Sequence, residues 1–261
     1  MTFKTHHALA ELLIAARRDG RQIIDLDPAL MPATPADGYR VNALVADGLD
    51  WAPLGWKIAG TNPDMQRRLR LVEPIRGRSF APFEMASPAR FRHSALLDPL
   101  IECEFMFRMG DDLPARPVPY RREEIADAVA RVHAGVEVAE CRFPLASLPP
   151  VAAILADGAA NGHYVVGPAI ADWGRRDLAA MPVTLEVNGK TRRHGFGREV
   201  MGHPLNAVVW LANHLAQQGD GLKAGELIST GTATGMLLAA AGDVMTARFG
   251  DDLAVNLAFD G

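Results

Sequence analysis

The chain is poor in cysteine: among its 261 residues only Cys103 and Cys141 occur, both in apolar runs. Two thiols cannot staple a chain of this length. A disulfide scaffold is therefore excluded, and two buried thiols in a reducing cytoplasm are expected. No stretch of about 18 uncharged apolar residues is present, so no membrane-spanning helix is expected. The first residues lead into a segment broken by Glu11, Arg17, Arg18 and Asp19, too polar for the apolar region of a signal peptide. A strong charge of one sign is missing too. The net charge of −4 excludes a basic surface tracking nucleic-acid phosphates. Repeats, low-complexity tracts and a clear linker are absent, so residues 1–261 read as one domain. With 49% hydrophobic and 22% charged residues, a globular core is expected.

Apolar periodicity then organises the chain. Leu9, Leu12, Leu13 and Ala16 share one face of a helix over residues 7–18 that Gly20 stops. Thr34 and Pro35 start a second helix running to Gly48, with Val41, Leu44 and Val45 inward. These two helices form an N-terminal layer over residues 1–50. From residue 51 the texture changes to short apolar runs separated by Gly, Pro and Asp, the mark of strands. Strands are expected at 55–60, 101–109, 135–143, 164–167, 183–187, 226–230, 243–249 and 254–259. Val187-Asn188-Gly189-Lys190 reads as a hairpin with a type I′ turn. Further helices are expected at 121–133 and 204–217. Mostly consecutive strands with a few covering helices imply an α+β fold with a folded-over sheet.

Four segments carry chemistry. In Ile101-Glu102-Cys103-Glu104-Phe105-Met106-Phe107, strand alternation puts Glu102 and Glu104 on one face, about 6.5–7 Å apart. Two carboxylates on so apolar a strand repel each other, and burial penalises both charges. Either a hard divalent cation resolves the conflict, or the face is solvated and pairs with arginines. Glu137 repeats the anomaly between Val136 and Val138. Of the four lysines, Lys57 sits mid-run in Gly-Trp-Lys-Ile-Ala-Gly. It is either buried against a carboxylate and poised for proton transfer, or it extends to water from an edge strand. Ser229-Thr230-Gly231-Thr232 follows a strand and is either an anion-facing turn or an ordinary one. No Gly-Lys-Ser/Thr follows, so it is not a phosphate loop.

In order along the chain come Gly-Trp-Lys-Ile-Ala-Gly-Thr-Asn at 55–62, Glu-Pro-Ile-Arg-Gly at 73–77 and Ile-Glu-Cys-Glu-Phe at 101–105. Asp-Asp-Leu-Pro at 111–114, Gly-Val-Glu-Val-Ala-Glu-Cys-Arg-Phe at 135–143 and Ala-Asp-Gly-Ala-Ala at 156–160 follow. Then come Gly-His-Pro-Leu-Asn-Ala-Val-Val-Trp-Leu-Ala at 202–212, Ser-Thr-Gly-Thr at 229–232 and Ala-Gly-Asp-Val at 241–244. This ordered set resembles the fumarylacetoacetate hydrolase superfamily, in its 2-keto-4-pentenoate hydratase and 4-oxalocrotonate decarboxylase branch.

The resemblance implies a folded-over mixed β-sheet like that family's C-terminal domain, with residues 51–261 as catalytic core. It implies Mg²⁺ or Mn²⁺ on Glu102, Glu104 and Glu137, with Lys57 as the active-site lysine. The implied activity is hydration of a 2-hydroxy-2,4-dienoate to a 4-hydroxy-2-oxo acid in aromatic or steroid ring catabolism. Decarboxylation of a 2-oxo-3-enedioate is the alternative, and a non-catalytic partner subunit is a lesser one. Arg76, Thr230, Gly231 and Thr232 are the expected substrate contacts, Arg76 or Arg78 serving a distal carboxylate. A cytoplasmic homo-oligomer, able to pair as a hydratase–decarboxylase complex, is implied as well. Three departures stand out. Ile75 replaces the acidic residue that hydratases often carry, Gly158 replaces an asparagine, and Glu140-Cys141-Arg142 replaces Asp-Ser-Arg.

Overall fold

The computed structural model describes residues 3–261. Helices α1 (Phe3–Asp19) and α2 (Pro35–Leu49) open the chain. The Thr34 hydroxyl caps α2, accepting from the Asp37 amide at 3.2 Å. Leu9, Leu13, Val41 and Val45 form an apolar seam with Phe80 and Phe143, while Leu12 stays 38% exposed. Strand β1 (Pro53–Ala59), helix α3 (Pro63–Leu69) and β2 (Ile75–Phe80) follow, then β3 (Glu84–Ala86), β4 (Ala89–Arg92) and β5 (Leu100–Met109). Next come α4 (Arg122–Asp127), β6 (Val129–Ala139), α5 (Val151–Ala156), β7 (His163–Ala169), β8 (Pro182–Val187) and β9 (Lys190–Phe196). The chain ends with α6 (Pro204–Ala216), β10 (Leu227–Ser229), β11 (Met236–Leu238), β12 (Val244–Phe249) and β13 (Leu253–Asp260).

The expected mixed sheet is present as two layers. One runs β2-β1-β10-β5-β6-β7-β3, with β11 also pairing β5; the other runs β4-β13-β12-β8-β9. β1 pairs β10, β3 pairs β7 and β13 pairs β4 in parallel, and the remaining ladders are antiparallel. Alternation on β5 decides the architecture. Ile101, Cys103, Phe105 and Phe107 point into the core between the sheets, where the rings of Phe105 and Phe249 meet edge to face at 5.3 Å. Glu102, Glu104 and Met106 therefore point the other way. Leu205, Val208, Leu211 and Leu215 seal α6 onto that same inter-sheet core.

The hairpin at Asn188-Gly189 forms as expected, with φ of 50° and 74°, the left-handed pair that a type I′ turn requires. Both cysteines are free and buried, which pushes their thiols up to about 12. The helix expected at 121–133 is corrected: α4 ends at Asp127, and β6 begins at Val129. Ile125, Ala128, Val129 and Val132 fit a helical face, but Val129 and Val132 pair across the ladder with Met109 and Phe107. Cross-strand packing of β-branched residues overrides local periodicity there.

His203 caps α6, its Nδ1 accepting from the Leu205 amide at 3.1 Å. Burial, reinforced by Arg122, pulls its pKa down to about 4. A folded-state pKa below the unfolded value of roughly 6.5 means that the unfolded chain binds more protons between those limits. The contribution is present above about pH 6.5 and fades as pH falls toward 4. His203→Asn keeps a capping acceptor that does not titrate. The variant's melting temperature should fall less than that of the wild type between pH 7 and 5.

Candidate active site

Five adjacent strands deliver one polar cluster to the sheet face turned away from the inter-sheet core. β5 supplies Glu102 and Glu104, and β6 sets Glu137 directly across the ladder from Glu102. β1 supplies Lys57, which pairs with Ser229 of β10, and β7 sets Tyr164 across from Glu137. The alternation expected of Glu102, Glu104 and Glu137 is what the strands adopt. All four charged side chains are buried, Glu104 and Glu137 completely.

Three carboxylates thus face one ammonium. Lys57 Nζ lies 3.4 Å from Glu137 Oε1 and 4.0 Å from Glu102 Oε2, and it donates to the Ala159 carbonyl at 3.0 Å. Glu104 Oε2 accepts from the Ser229 hydroxyl and from the Gly231 amide at 2.9 Å. Glu137 Oε1 also accepts from the Tyr164 hydroxyl at 3.3 Å. The other oxygens, Glu104 Oε1 and Glu137 Oε2, are buried without any hydrogen-bond partner. Burial raises Glu137 to about 7 and lifts Glu104 well above the carboxylate range, where repulsion from Glu137 and Glu102 lifts it further. Burial lowers Lys57, but the three glutamates outweigh it and hold the ammonium above its ordinary value.

One proton-bearing cation does not balance this group. Single oxygens of Glu102, Glu104 and Glu137 lie within 4.8 Å of one another. All the donors are hard oxygens, and two of them are orphaned. That is a donor set fitted to a small divalent cation.

The carbonyl that holds Lys57 is itself held in place. Gly158, Ala159 and Ala160 take φ values of 78°, 57° and 59°, three successive left-handed residues. For an alanine this conformation costs about 1 kcal/mol or more. A buried clamp fixes it. Asp157 Oδ1 accepts from Arg17 Nη2 at 2.9 Å and from Arg142 Nε at 3.0 Å, while its Oδ2 accepts from the Arg142 amide at 2.8 Å. The Arg142 guanidinium also donates to the Glu140 and Asn161 carbonyls, and the Glu140 amide donates to Ala160 O at 3.0 Å. The turn lies directly over Gly77, where a Cβ would come within 2.0 Å of the Gly158 oxygen. The Arg-Gly at 76–77 thus makes room for the turn that orients the lysine.

A cavity of about 100 Å³ opens over the cluster, lined by Lys57, Glu102, Gly231 and Thr232 among others. Three residues expected there do not reach it. Arg76 pairs with Ile58 on β1, and alternation places it on the face opposite Lys57. There its guanidinium lies 4.7 Å from the ring centres of both Tyr39 and Trp56 and donates to Gln218. Arg78 shares that face, 3.9 Å from the Trp56 ring, and pairs with Glu226. Thr230 is buried away from the cavity, its hydroxyl donating to Phe105 O at 2.8 Å. Ser229, Tyr164 and the Ala159 carbonyl were not foreseen. Ser229 was within reach of sequence reasoning, because it ends a strand whose alternation points it at the carboxylates.

Residues 88–256 match the model of the fumarylacetoacetate (FAA) hydrolase C-terminal family. Over 263 aligned residues the chain is 28% identical to the 2-keto-4-pentenoate hydratase of Paraburkholderia xenovorans (strain LB400), covering 100% of this chain and 97% of that protein. It is 30% identical over 199 residues to a 4-oxalocrotonate decarboxylase of Pseudomonas putida, covering 75% of this chain and 73% of the other. The solved structure of 4-oxalocrotonate decarboxylase from Pseudomonas putida G7, complexed with magnesium and adipate, superposes with a TM-score of 0.89 at 27% identity. The match covers 99% of this chain and 98% of that one. The family model spans well over half of the 261 residues, and the chain belongs to the fumarylacetoacetate hydrolase family.

Proposed function

We propose that this protein is a divalent-cation-dependent lyase that adds water to a 2-hydroxy-2,4-dienoate, giving a 4-hydroxy-2-oxo acid. The observation that carries the reading is the buried triad of carboxylates, two of its oxygens unpartnered, set against Lys57 at the floor of the cavity. Glu102, Glu104 and Glu137 would hold Mg²⁺ or Mn²⁺. When bound, such a cation supplies Lewis-acid polarisation of the carboxylate and 2-oxo oxygens of the substrate.

The remaining roles fall to the chain's own residues. Hydration requires a proton to leave the 2-hydroxyl and one to arrive at C5. Water oxygen then bonds to C4 while a proton bonds to C3, so the net change is one added water. A group that carries protons must line the cavity. Among the described lining residues outside the carboxylate triad, only Lys57 and Cys141 titrate, and burial pushes the Cys141 thiol up to about 12. Ile75 lines the wall where an acidic residue would otherwise stand. The proton-carrying role is therefore assigned to Lys57, aimed by the Ala159 carbonyl. Gly231 and Thr232 shape the floor as substrate contacts, and the apolar walls keep bulk water from the reacting carbons.

Likeness to the decarboxylases favours a second reading, loss of CO₂ from a 2-oxo-3-enedioate. Such a substrate brings a second carboxylate, and the arginines considered for it lie on the reverse face of the sheet. A scaffolding subunit is the weaker alternative, because three buried like charges destabilise a chain that has no use for them.

Saturating Mg²⁺ should raise the melting temperature by linkage. At about one hundred times Kd the gain is about 2.7 kcal/mol, or roughly 5–10 °C for a chain of this size. Glu104→Ala should show no Mg²⁺ shift. An undiminished shift removes Glu104 from the ligand set. Activity is read by NMR and mass spectrometry on the Mg²⁺-loaded protein. 2-Hydroxy-2,4-pentadienoate should gain water, at a rate reduced about 10²–10⁴-fold in Lys57→Met. CO₂ from 2-oxo-3-hexenedioate, with the dienoate untouched, would establish the decarboxylase reading instead.

A further inference from the structure

Arg76 is a buried cation without a counter-charge. Arg17 and Arg142 share Asp157, and Arg78 pairs with Glu226. Arg76 is only 8% exposed, yet among the described residues its guanidinium meets no carboxylate and donates to the neutral Gln218 side chain. Its Nε is buried with no hydrogen-bond partner, and so is Nε1 of Trp56, whose ring centre lies 4.7 Å from that guanidinium. Burial pulls the Arg76 pKa below the usual guanidinium value, so the neighbouring charges do not fully compensate it. Contact with the Tyr39 and Trp56 rings offsets part of the cost. A buried charge and two buried donors still lack an acceptor.

Both residues line one groove of about 830 Å³, set between α2 and the end of α6 at the β2 edge of the sheet. That volume is in the range of small-molecule pockets. Tyr39, Ala36, Ala43 and Ala46 of α2 form one wall, and the His214 ring lies 5.8 Å from that of Tyr39. Burial and the Arg76 charge lower the His214 pKa, so its ring is neutral near pH 7. The guanidinium and the indole N–H only donate, and the missing ligand must therefore accept. Its charge is limited by the rest of the lining, where Asp47, Glu73 and Asp220 match Arg40, Arg76 and Arg78 in number. Arg40 pairs with Asp37, Glu73 accepts from Trp210 Nε1 at 3.4 Å, and Asp220 accepts from the Gly221 amide at 2.8 Å. A planar, singly charged carboxylate suits one free guanidinium. A doubly charged phosphate is repelled by the three acids.

We propose that this groove is a second ligand site, taking a monocarboxylate whose charged end meets Arg76 and Trp56 Nε1 and whose apolar body lies against Tyr39 and His214. It is separate from the cavity over Lys57. No residue lines both, and Arg76 lies on the sheet face opposite Lys57. The inference therefore stands independently of the hydratase reading.

Benzoate is the probe, with benzamide as its uncharged isostere and inorganic phosphate as the dianion. The Mg²⁺-loaded full chain is titrated by calorimetry and by NMR of the indole N–H signals. The chain has four tryptophans, and the signal missing in Trp56→Phe belongs to Trp56. That signal should move on adding benzoate, with a Kd of about 1 mM or below. Benzamide and phosphate should each bind roughly tenfold more weakly. Arg76→Met keeps the packing against the two rings and should weaken benzoate at least about tenfold. Trp56→Phe should weaken it about three- to tenfold, so a folding defect in one variant leaves the other to decide. Glu104→Ala should leave benzoate binding unchanged, because the carboxylate cluster lies in the other cavity. An unmoved Trp56 signal, benzamide or phosphate binding as tightly as benzoate, or loss of the response in Glu104→Ala overturns the inference. A change of sedimentation in Arg76→Met, with no benzoate bound by the wild type, overturns it too and assigns the groove to a carboxylate of a second copy.

Discussion

Three buried carboxylates facing one buried ammonium is the constraint on which the rest of this structure depends. Each carboxylate is placed by strand alternation that the core itself enforces. Phe105 and Phe107 must face the second sheet, so Glu104 and its neighbours on β5 cannot. The sheet register then sets Glu137 opposite Glu102, the arrangement in which like charges repel most. Lys57 and the hydrogen bonds from Ser229, Gly231 and Tyr164 offset only part of this repulsion. The fold thus stores an electrostatic debt at one point, and a divalent cation is the species best suited to settle it.

Holding the lysine at that point takes much of the chain. Lys57 reaches the cluster from β1, but its orientation depends on a carbonyl in the left-handed turn after α5. That turn is held by Asp157, which Arg17 of α1 and Arg142 after β6 grip from two sides. The N-terminal helices are therefore tied to the chemistry through a buried ion-pair network, in addition to covering an apolar surface. Both arginines and the aspartate are nearly inaccessible. Removing Asp157 would leave two buried guanidinium groups without their shared carboxylate, a change that typically costs about 3–5 kcal/mol.

How much of this was legible in the sequence follows from which signals are local. Glu102, Glu104 and Glu137 could be read because alternation is a property of a single strand, and a carboxylate among valines is conspicuous wherever the strand lies. Lys57 could be read for the same reason. Arg76 could not be placed, because no strand was assigned at 75–80; without the register of β2 against β1, the face of residue 76 is undetermined. The helical reading of 121–133 failed because Val129 and Val132 obey two periodicities at once, and only the partner strand chooses between them. The clamp on Asp157 was beyond reach, since Arg17 and Asp157 are 140 residues apart and nothing local links them. The resemblance to a known family carried the cation, the substrate class and the order of motifs, none of which alternation alone supplies.

The central claim is that the carboxylate triad is a cation site with the lysine beside it. Diffraction from crystals grown with Mn²⁺, recorded to locate anomalous scattering, tests it directly. The account predicts one strong peak roughly 2.0–2.3 Å from an oxygen each of Glu102, Glu104 and Glu137, with Lys57 Nζ outside the coordination sphere and still bonded to Ala159. A peak elsewhere, or an undisturbed triad with no scatterer between its oxygens, would contradict it.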